Sequence, residues 1–323
     1  MKFKLRKTWD TSIVLLLVAV WIGASFTTDN FLSSINVSQI FSNTSEITIM
    51  AFGVIFLIIM GEIDLSVAST LALSSAMLGW SYDKGAPIWL AIIICMAVGA
   101  LCGFVNGFLV TKVGLGSLAV TIGTLALYRG IANGILGTNT INEFPERYTS
   151  FGFETIGTTF IPQTLIPIII IGIGFALLLH NTAFGRRTLA IGQSPEGARF
   201  AGINVVRHKV ICFTFTGFLS GVAGMVYTFR FSTAQADNGV GLELLVISAC
   251  LLGGVSIFGG IGTMWGVIAG VLLAGSVESW LTLREINAQW RTIVTGILLL
   301  TSVAAPVLIN KAKAAKVKAA NKS

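Results

Sequence analysis

The sequence predicts an all-α, polytopic membrane protein. Of its 323 residues, 54% are hydrophobic and only 11% are charged, whereas a soluble globular domain carries about 25% charged residues. The mean hydropathy of +0.86 agrees with this prediction. A transmembrane β-barrel would alternate apolar and polar residues along each strand, but the run from Leu165 to Ile171 has no such alternation. The apolar content also excludes a disordered chain.

Ten stretches are apolar over roughly the 20 residues that cross a bilayer. We treat the chain, residues 1–323, as a single transmembrane domain. The third stretch is short and partly polar, which favours a half-helix or a re-entrant segment, and Gly-rich chain joins the eighth and ninth, which leaves a break in either of them open. The ten predicted spans cover residues 12–28, 46–61, 65–80, 88–111, 117–136, 161–180, 209–229, 243–258, 263–283 and 290–309.

The distribution of basic residues supports ten spans and gives their orientation. With the N-terminus inside, 15 of the 21 Lys and Arg residues lie on the cytoplasmic side, as the positive-inside rule requires. Both termini are then cytoplasmic, and we expect the basic tail, residues 310–323, to touch anionic lipid headgroups. The start of the chain resembles a signal peptide, but no convincing cleavage site follows, so we expect an uncleaved first span. The net charge of +7 therefore reflects topology, and no nucleic-acid partner is expected.

Small residues indicate close helix packing. Gly99, Gly103 and Gly107 recur at four-residue spacing, as do Gly217 with Gly221 and Gly266 with Gly270. Such faces let helix backbones approach closely in a membrane. The cysteines lie in apolar stretches and are expected to act as small apolar residues; they are Cys95, Cys102, Cys212 and Cys250.

The sequence contains few groups that could carry out chemistry. It has no GxxxxGK[ST] nucleotide-binding loop, no HExxH metal motif, and its two histidines, His180 and His208, are far apart in the chain. We therefore expect the chain not to be an enzyme and to hold no metal or cofactor. Ion-coupled transport needs intramembrane carboxylates or broken helices. The candidate carboxylates are Glu62, Asp64, Glu243 and Glu278, of which only Glu278 is expected to lie deep in the membrane, so an ion-coupled secondary transporter acting alone is the alternative function.

The segment 181–208 follows the sixth span on the predicted cytoplasmic side. Ser194, Pro195 and Glu196 are typical of a helix start, with Ser as the N-cap, Pro at the first helical position and an acid in the first turn. Gly202 suits the end of this helix. One interpretation is a solvated loop whose arginines set the topology. The other is a short helix that docks into a groove on a cytoplasmic partner.

Three blocks of sequence resemble one family of transport proteins. Residues 61–69 are similar to the motif GGIDLSVGS, residues 185–204 to a cytoplasmic coupling segment, and residues 252–266 to LGGxSxxGGxGTxxG. By these blocks, their order and the ten spans, the chain is identified as a member of the permease family of ABC importers for ribose and related simple sugars, including autoinducer-2.

The resemblance implies a fold, partners and a location. The fold would be the BtuC-like importer fold, and the protein would lie in the bacterial inner membrane. Two permease copies, or a homologous pair, would sit on cytoplasmic ABC ATPase subunits and receive the sugar from a periplasmic sugar-binding protein. The substrate would be ribose, another pentose or deoxyhexose, or autoinducer-2, and the partner ATPase would hydrolyse the ATP.

The three blocks contain the first candidate residues. We expect residues 195–203 to form the coupling helix. The small side chains of Ala198 and Ala201 would let the partner approach this helix closely. The block 61–69 has two interpretations, a tight cytoplasmic turn in which Asp64 caps the next helix, or a hinge; the two are compatible. The glycines of the third block are expected to allow close packing and a broken helix, with direct contact to the substrate as the alternative. The residues are Arg186, Pro195, Glu196, Ala198, Arg199, Ala201 and Gly202 for ATPase coupling, Gly61, Asp64, Ser66 and Ser69 for the hinge or cap, and Gly253, Gly254, Gly259, Gly260, Gly262 and Gly266 for the glycine block.

Two further sets are predicted from polarity and charge. Polar residues on apolar spans are candidates for the substrate pathway, with hydrogen bonding between helices as the alternative. Charged residues on the outer side are candidates for docking the receptor, with snorkelling to the interface as the alternative. The sets are Asn106, Thr121, Thr124, Asn133, Ser276, Glu278 and Thr295 for the pathway, and Arg147, Arg230, Arg284 and Glu285 for the receptor.

Overall fold

Helices account for nearly all of the regular structure in the computed structural model. The model describes residues 2–152, 154–157, 159–287, 289–294, 296, 297, 300, 301 and 304. Within these residues the α-helices are α1 (Lys2–Thr27), α2 (Ser34–Asn43), α3 (Ser45–Ile59), α4 (Val67–Asp83), α5 (Ile88–Phe108), α6 (Ser117–Leu136), α7 (Glu146–Thr149), α8 (Leu165–Asn181), α9 (Ala183–Gln193), α10 (Pro195–Phe200), α11 (Val205–Phe231), α12 (Leu242–Leu252) and α13 (Met264–Leu283). A π-helical turn, Leu109–Val113, extends α5. The described part of the chain has isolated β-bridges but no strand, so the predicted all-α class is confirmed there.

The helices agree with most of the predicted spans. Five are long and apolar enough to cross a membrane, namely α1, α5 with its π-helical turn, α6, α11 and α13. Two bent pairs, α2 with α3 at 40° and α8 with α9 at 64°, raise the number to as many as seven. The helices α4 and α12 are shorter. The tenth predicted span begins with helical residues, 290–294, but half of it lies outside the described residues. The total of ten therefore stays a prediction.

The third predicted span is a continuous helix. After α3 the chain is non-helical from Gly61 to Ser66, and α4 then runs for 17 residues with most of its side chains buried. The chain can leave helical geometry at Gly61 because glycine tolerates the positive φ of 78° found there. The expected irregularity thus precedes α4 and does not interrupt it.

Helix α11 forms the centre of the bundle and packs against α3, α4 and α5. A Cβ atom on Gly217 would lie only 2.6 Å from the backbone nitrogen of Gly103. On the other side of α11, a Cβ atom on Gly53 of α3 would lie 2.7 Å from the Cα atom of Thr216. These contacts confirm the close packing predicted from the spacing of the small residues. The four cysteines are buried and free, as expected.

The two ends of the bundle are named after the short helices that lie there, α10 and α7. The α10 end is the one where α3 ends and where α9, α10 and the start of α11 lie, because Gly192 packs against Ile59 there. The α7 end is the opposite one, where Arg230 near the end of α11 bonds to Glu46 near the start of α3. Helix α1 packs along α13, and the Trp21 indole donates a 2.8 Å hydrogen bond to the Ser276 hydroxyl.

Candidate functional site

The three sequence blocks meet at the α10 end. The backbone N–H of Gly260 donates a 2.7 Å hydrogen bond to the carbonyl oxygen of Ile59. A Cβ atom on Gly259 would lie 2.8 Å from the carbonyl oxygen of Gly192 in the second block and 3.3 Å from the backbone nitrogen of Gly61 in the first block, and 3.0 Å from the carbonyl oxygen of Ile59. Gly259 and Gly260 have φ values of 83° and 74°, a backbone conformation that side chains disfavour. Glycine is therefore required here both for conformation and for space.

The glycine block is non-helical between α12 and α13, as expected for a broken helix. Gly253 and Gly254 follow the last residue of α12, and Gly254 has a φ of 85°. Gly262 packs against Ile59, since its Cβ atom would lie 2.8 Å from that side chain. The start of α13 is capped by Thr263, whose hydroxyl oxygen accepts a 3.0 Å hydrogen bond from the backbone N–H of Gly266.

Asp64 lies in a buried hydrogen-bond network between α4, α5 and α6. Its side chain is only 2% exposed. Its Oδ1 atom accepts hydrogen bonds from the Ser66 backbone N–H at 2.8 Å and the Ser66 hydroxyl at 2.7 Å. The Asn106 amide donates to the Ser66 hydroxyl oxygen at 2.7 Å, and the Tyr128 hydroxyl donates to the Asn106 amide oxygen at 3.1 Å. The Ser69 hydroxyl donates to the Ser66 carbonyl oxygen at 2.8 Å.

This network changes the interpretation of two predicted residues. Asp64 does not cap the first turn of α4, because its carboxylate bonds to Ser66, the residue that precedes the helix, and no side chain caps those N–H groups. Asn106 was a candidate for the pathway, but it is 1% exposed and its amide is used within the bundle. Hydrogen bonding between helices explains Asn106.

An ion pair connects the segment before α4 to the start of α11. The Lys209 ammonium bonds to the Glu62 carboxylate, and both side chains are largely buried, at 16% and 14% exposure. The next residue, Ile63, is held by α6: its N–H donates to the Ser117 hydroxyl at 3.3 Å, and the Thr121 hydroxyl donates to its carbonyl oxygen at 3.3 Å. The first sequence block is thus joined to the start of α11, the helix that directly follows the second block.

The second block folds into α9 and α10, which project at the α10 end. The Ser194 hydroxyl oxygen accepts a 3.0 Å hydrogen bond from the Gly197 N–H, and Pro195 is the first residue of α10. The predicted helix start is confirmed. The helix ends at Phe200 instead of at residue 203, because Gly202 has a φ of 78°. The three charged residues predicted for ATPase coupling, Arg186, Glu196 and Arg199, are all exposed.

The two alanines expected on the docking surface face different ways. Ala198 is 4% exposed and packs into the core, whereas Ala201 is exposed. The prediction for Ala198 is therefore wrong, since its side chain points into the protein. The sequence reasoning missed Phe200, which is 94% exposed on the outer side of the same helix. A large apolar residue among small and charged neighbours was the signal that pointed to it.

At the α7 end, Arg230 is buried in an ion pair that was not predicted. Its Nε atom donates to Glu46 at 2.8 Å and its Nη1 atom donates to Asn43 at 2.8 Å. Arg230 is 8% and Glu46 is 2% exposed. Receptor docking through Arg230 is therefore wrong, because its guanidinium is already bound inside the protein. Glu46 is as buried within the bundle as Asp64, at 2% exposure, whereas Glu278 is exposed on α13.

A cavity of about 190 Å³ with a mixed polar and apolar lining lies beside this ion pair, between α2, α12 and α13. Asn43, which binds Arg230, lines it together with Glu278 from the predicted pathway set. Amides, hydroxyls and a carboxylate in one cavity suit a small ligand with several hydroxyl groups. The other polar side chains in the lining are Asn36, Gln39, Thr44, Ser248, Ser279, Thr282 and Arg291.

The remaining candidates for the pathway and for receptor docking are either buried in the bundle or exposed at its surface. Thr121, Thr124 and Ser276 are at most 5% exposed, so hydrogen bonding within the bundle explains them in this structure. Asn133 is exposed on α6, and Thr295 lies outside the described residues. The receptor candidates Arg147, Arg284 and Glu285 are all exposed.

The helical bundle, with its five to seven candidate spans and its close glycine contacts, defines an all-α, multi-pass membrane protein. Residues 36–303 match the family described as branched-chain amino acid transport system / permease component, and the chain belongs to this family. It is 35% identical over 303 residues to the L-arabinose transport system permease protein AraH of Escherichia coli, covering 93% of this chain and 92% of that one. The resemblance seen in the sequence is confirmed.

Other relatives have related names. The chain is 35% identical over 285 residues to the ribose import permease protein RbsC of Bacillus subtilis, covering 87% and 88% of the two chains. It is 32% identical over 309 residues to the autoinducer 2 import system permease protein LsrD of Klebsiella pneumoniae, covering 93% and 92%. No solved structure matches the chain.

Proposed function

We propose that this protein is the transmembrane subunit of an ABC importer for a simple sugar or a sugar-like molecule such as autoinducer-2. A separate ATPase supplies the energy, and a periplasmic binding protein delivers the substrate. The relatives named for arabinose, ribose and autoinducer-2 support this substrate class. The observation that carries the proposal is the convergence of three sequence blocks behind the exposed helix α10.

The ATPase docks at α10 in this proposal. Phe200 inserts into an apolar groove of the partner. Glu196 and Arg199 are exposed on the same helix, and Arg186 is exposed on the preceding helix, α9. Large aromatic side chains with charged neighbours are frequent energetic centres of interfaces. Ala201 and Gly202 border this surface and let the partner approach closely.

Motion of α10 reaches the bundle through two routes. One is the contact of Gly192 with Ile59 and the Gly259–Gly260 turn, and the other is the Lys209–Glu62 ion pair. Both lead to the non-helical segment from Gly61 to Ser66, which acts as the hinge. The Asp64 network fixes the far side of this hinge to α5 and α6.

The Asp64 role is tested by two variants. Asp64→Ala leaves the buried N–H and hydroxyl of Ser66 without their acceptor, which costs about 1–3 kcal/mol of stability and lowers transport. Asp64→Asn keeps an acceptor oxygen and retains more of both. Equal transport by the wild type and the alanine variant would remove Asp64 from the proposal.

The sugar passes the cavity near Asn43 and Glu278, and the exposed Arg147, Arg284 and Glu285 at the outer surface contact the receptor. Both termini are cytoplasmic, ten spans cross the inner membrane, and two permease copies or a homologous pair assemble in the BtuC-like manner. Purified protein reconstituted with the ATPase and receptor encoded beside it tests this assembly. The cognate sugar-loaded receptor should stimulate ATP hydrolysis; a complex whose hydrolysis is unaffected by every loaded receptor sugar tested would contradict the proposal.

A further inference from the structure

A cleft of about 520 Å³ at the α10 end lies between α9 and the start of α11. One part of its lining is cationic and polar, with Arg187, Asn204 and Arg207. The other part is apolar, with Phe184 and Ile211. The cleft therefore suits a molecule that carries an anionic group and an apolar chain.

The two guanidinium groups of this cleft have no anionic partner in the described part of the chain. The ion pairs found there join Lys84 to Asp83, Lys209 to Glu62 and Arg230 to Glu46. Both Arg187 and Arg207 are exposed. The planar guanidinium binds phosphate oxygens through two parallel hydrogen bonds, so a pair of arginines without partners favours a phosphate group.

The apolar part of the cleft continues along α11 toward the interior of the membrane. Arg207, Ile211, Phe215 and Phe218 follow one another at spacings of three and four residues, which places them on one face of the helix. Phe215 is 37% and Phe218 is 38% exposed. The ring of Phe184, in the cleft, lies 6.1 Å from the ring of Phe215. An apolar stripe thus begins at the arginines and runs up the outside of the bundle.

We infer that this cleft binds an anionic phospholipid, with Arg187 and Arg207 on its phosphate and one acyl chain along the Phe215–Phe218 stripe. A soluble ATPase would contact the surface that faces away from the bilayer, whereas this stripe leads into the bilayer. Basic pockets at the membrane edge bind the headgroups of anionic lipids. The site is independent of the transported substrate, and its lining shares only Ala201 and Gly202 with the border of the Phe200 surface.

Native mass spectrometry of the full-length protein in a neutral detergent tests this inference. The probes are phosphatidylglycerol, phosphatidylcholine and inorganic phosphate, each added alone and then in competition. The test variant is Arg187→Gln with Arg207→Gln, and the single variants replace it if the double variant does not fold. Lys112→Gln is the matched control, because Lys112 is an exposed basic residue on the π-helical turn at the same end.

We expect phosphatidylglycerol to bind the wild type and the Lys112 variant equally, and the double variant about 30-fold more weakly. Phosphatidylcholine should bind all three weakly. Unchanged phosphatidylglycerol binding by the arginine variants would overturn the inference. So would binding of inorganic phosphate that the lipid does not displace, because the cleft would then hold free phosphate. Arginine variants that keep the lipid but no longer co-purify with the ATPase would assign these arginines to the protein partner instead.

Discussion

Gly260 donates its backbone N–H to the carbonyl oxygen of Ile59 over 2.7 Å, and Gly192 packs against the same carbonyl group. One backbone group thus joins the end of α3, the segment before α10 and the glycine loop between α12 and α13. Because close backbone contacts leave little room for independent movement, we expect a displacement of α9 to be transmitted to the segment from Gly61 to Ser66.

The first prediction concerns Gly192. Gly192→Ala places a methyl group against the Ile59 carbonyl, and overpacking of this kind costs about 1–3 kcal/mol. We expect a lower thermal unfolding midpoint and a loss of uptake. Gly174→Ala on α8 is the matched control, because its added methyl group meets no atom within 4 Å. If both variants unfold at the same temperature, the Gly192 contact does not constrain the fold.

The second prediction concerns the ion pair of Glu62 and Lys209. Lys209→Glu places two carboxylates side by side in a largely buried position, so we expect reduced stability and uptake. Exchanging the charges, with Glu62→Lys and Lys209→Glu together, should recover most of both. A double-mutant cycle on thermal stability measures the coupling, which we expect to be about 1 kcal/mol. Strictly additive single effects would show that the two side chains are not coupled.

The third prediction concerns Arg230 and Glu46. Arg230→Met leaves the Glu46 carboxylate buried without its cation, and loss of one partner of a buried pair costs about 3–5 kcal/mol. Replacing both residues, by Met and Leu, should restore much of the stability because no charge is then left unpaired. Arg147→Met is the control, since an exposed arginine contributes within about 0.5 kcal/mol. A single Arg230 variant as stable as the control would refute the buried pair.

The fourth prediction concerns Phe200. Phe200→Ala should leave the unfolding midpoint unchanged, because the side chain is 94% exposed, but should weaken ATPase binding by about 2 kcal/mol, or about 30-fold. Co-purification and surface plasmon resonance with the ATPase measure this effect. Phe26→Ala, at an 85% exposed position near the end of α1, is the control and should bind normally. Normal ATPase binding by the Phe200 variant would move the docking surface elsewhere.

Local features of the fold could be predicted from the sequence. Ser194 and Pro195 define the start of α10 through contacts within three residues, and Gly99, Gly103 and Gly217 show their packing role through spacing alone. The glycine loop between α12 and α13 was expected for the same reason, since adjacent glycines permit non-helical backbone.

Features that depend on distant parts of the chain could not be predicted. The partners Glu46 and Arg230 lie on different helices, and no local pattern connects them. Ala198 and Ala201 look alike in sequence, but Ala198 packs against the core of the bundle and Ala201 is at the surface, which no local pattern distinguishes. Asn106 has the polarity of a pathway residue, and only its bonds to Ser66 and Tyr128 assign it to the bundle.

Reconstitution into liposomes tests the dependence on an external ATPase most directly. The purified chain is measured alone under a proton or sodium gradient, and again with the ATPase, the receptor and ATP. We expect accumulation of sugar only in the complete assembly, with hydrolysis stimulated by the loaded receptor. Uphill uptake by the chain alone, driven by either ion gradient, would contradict the account.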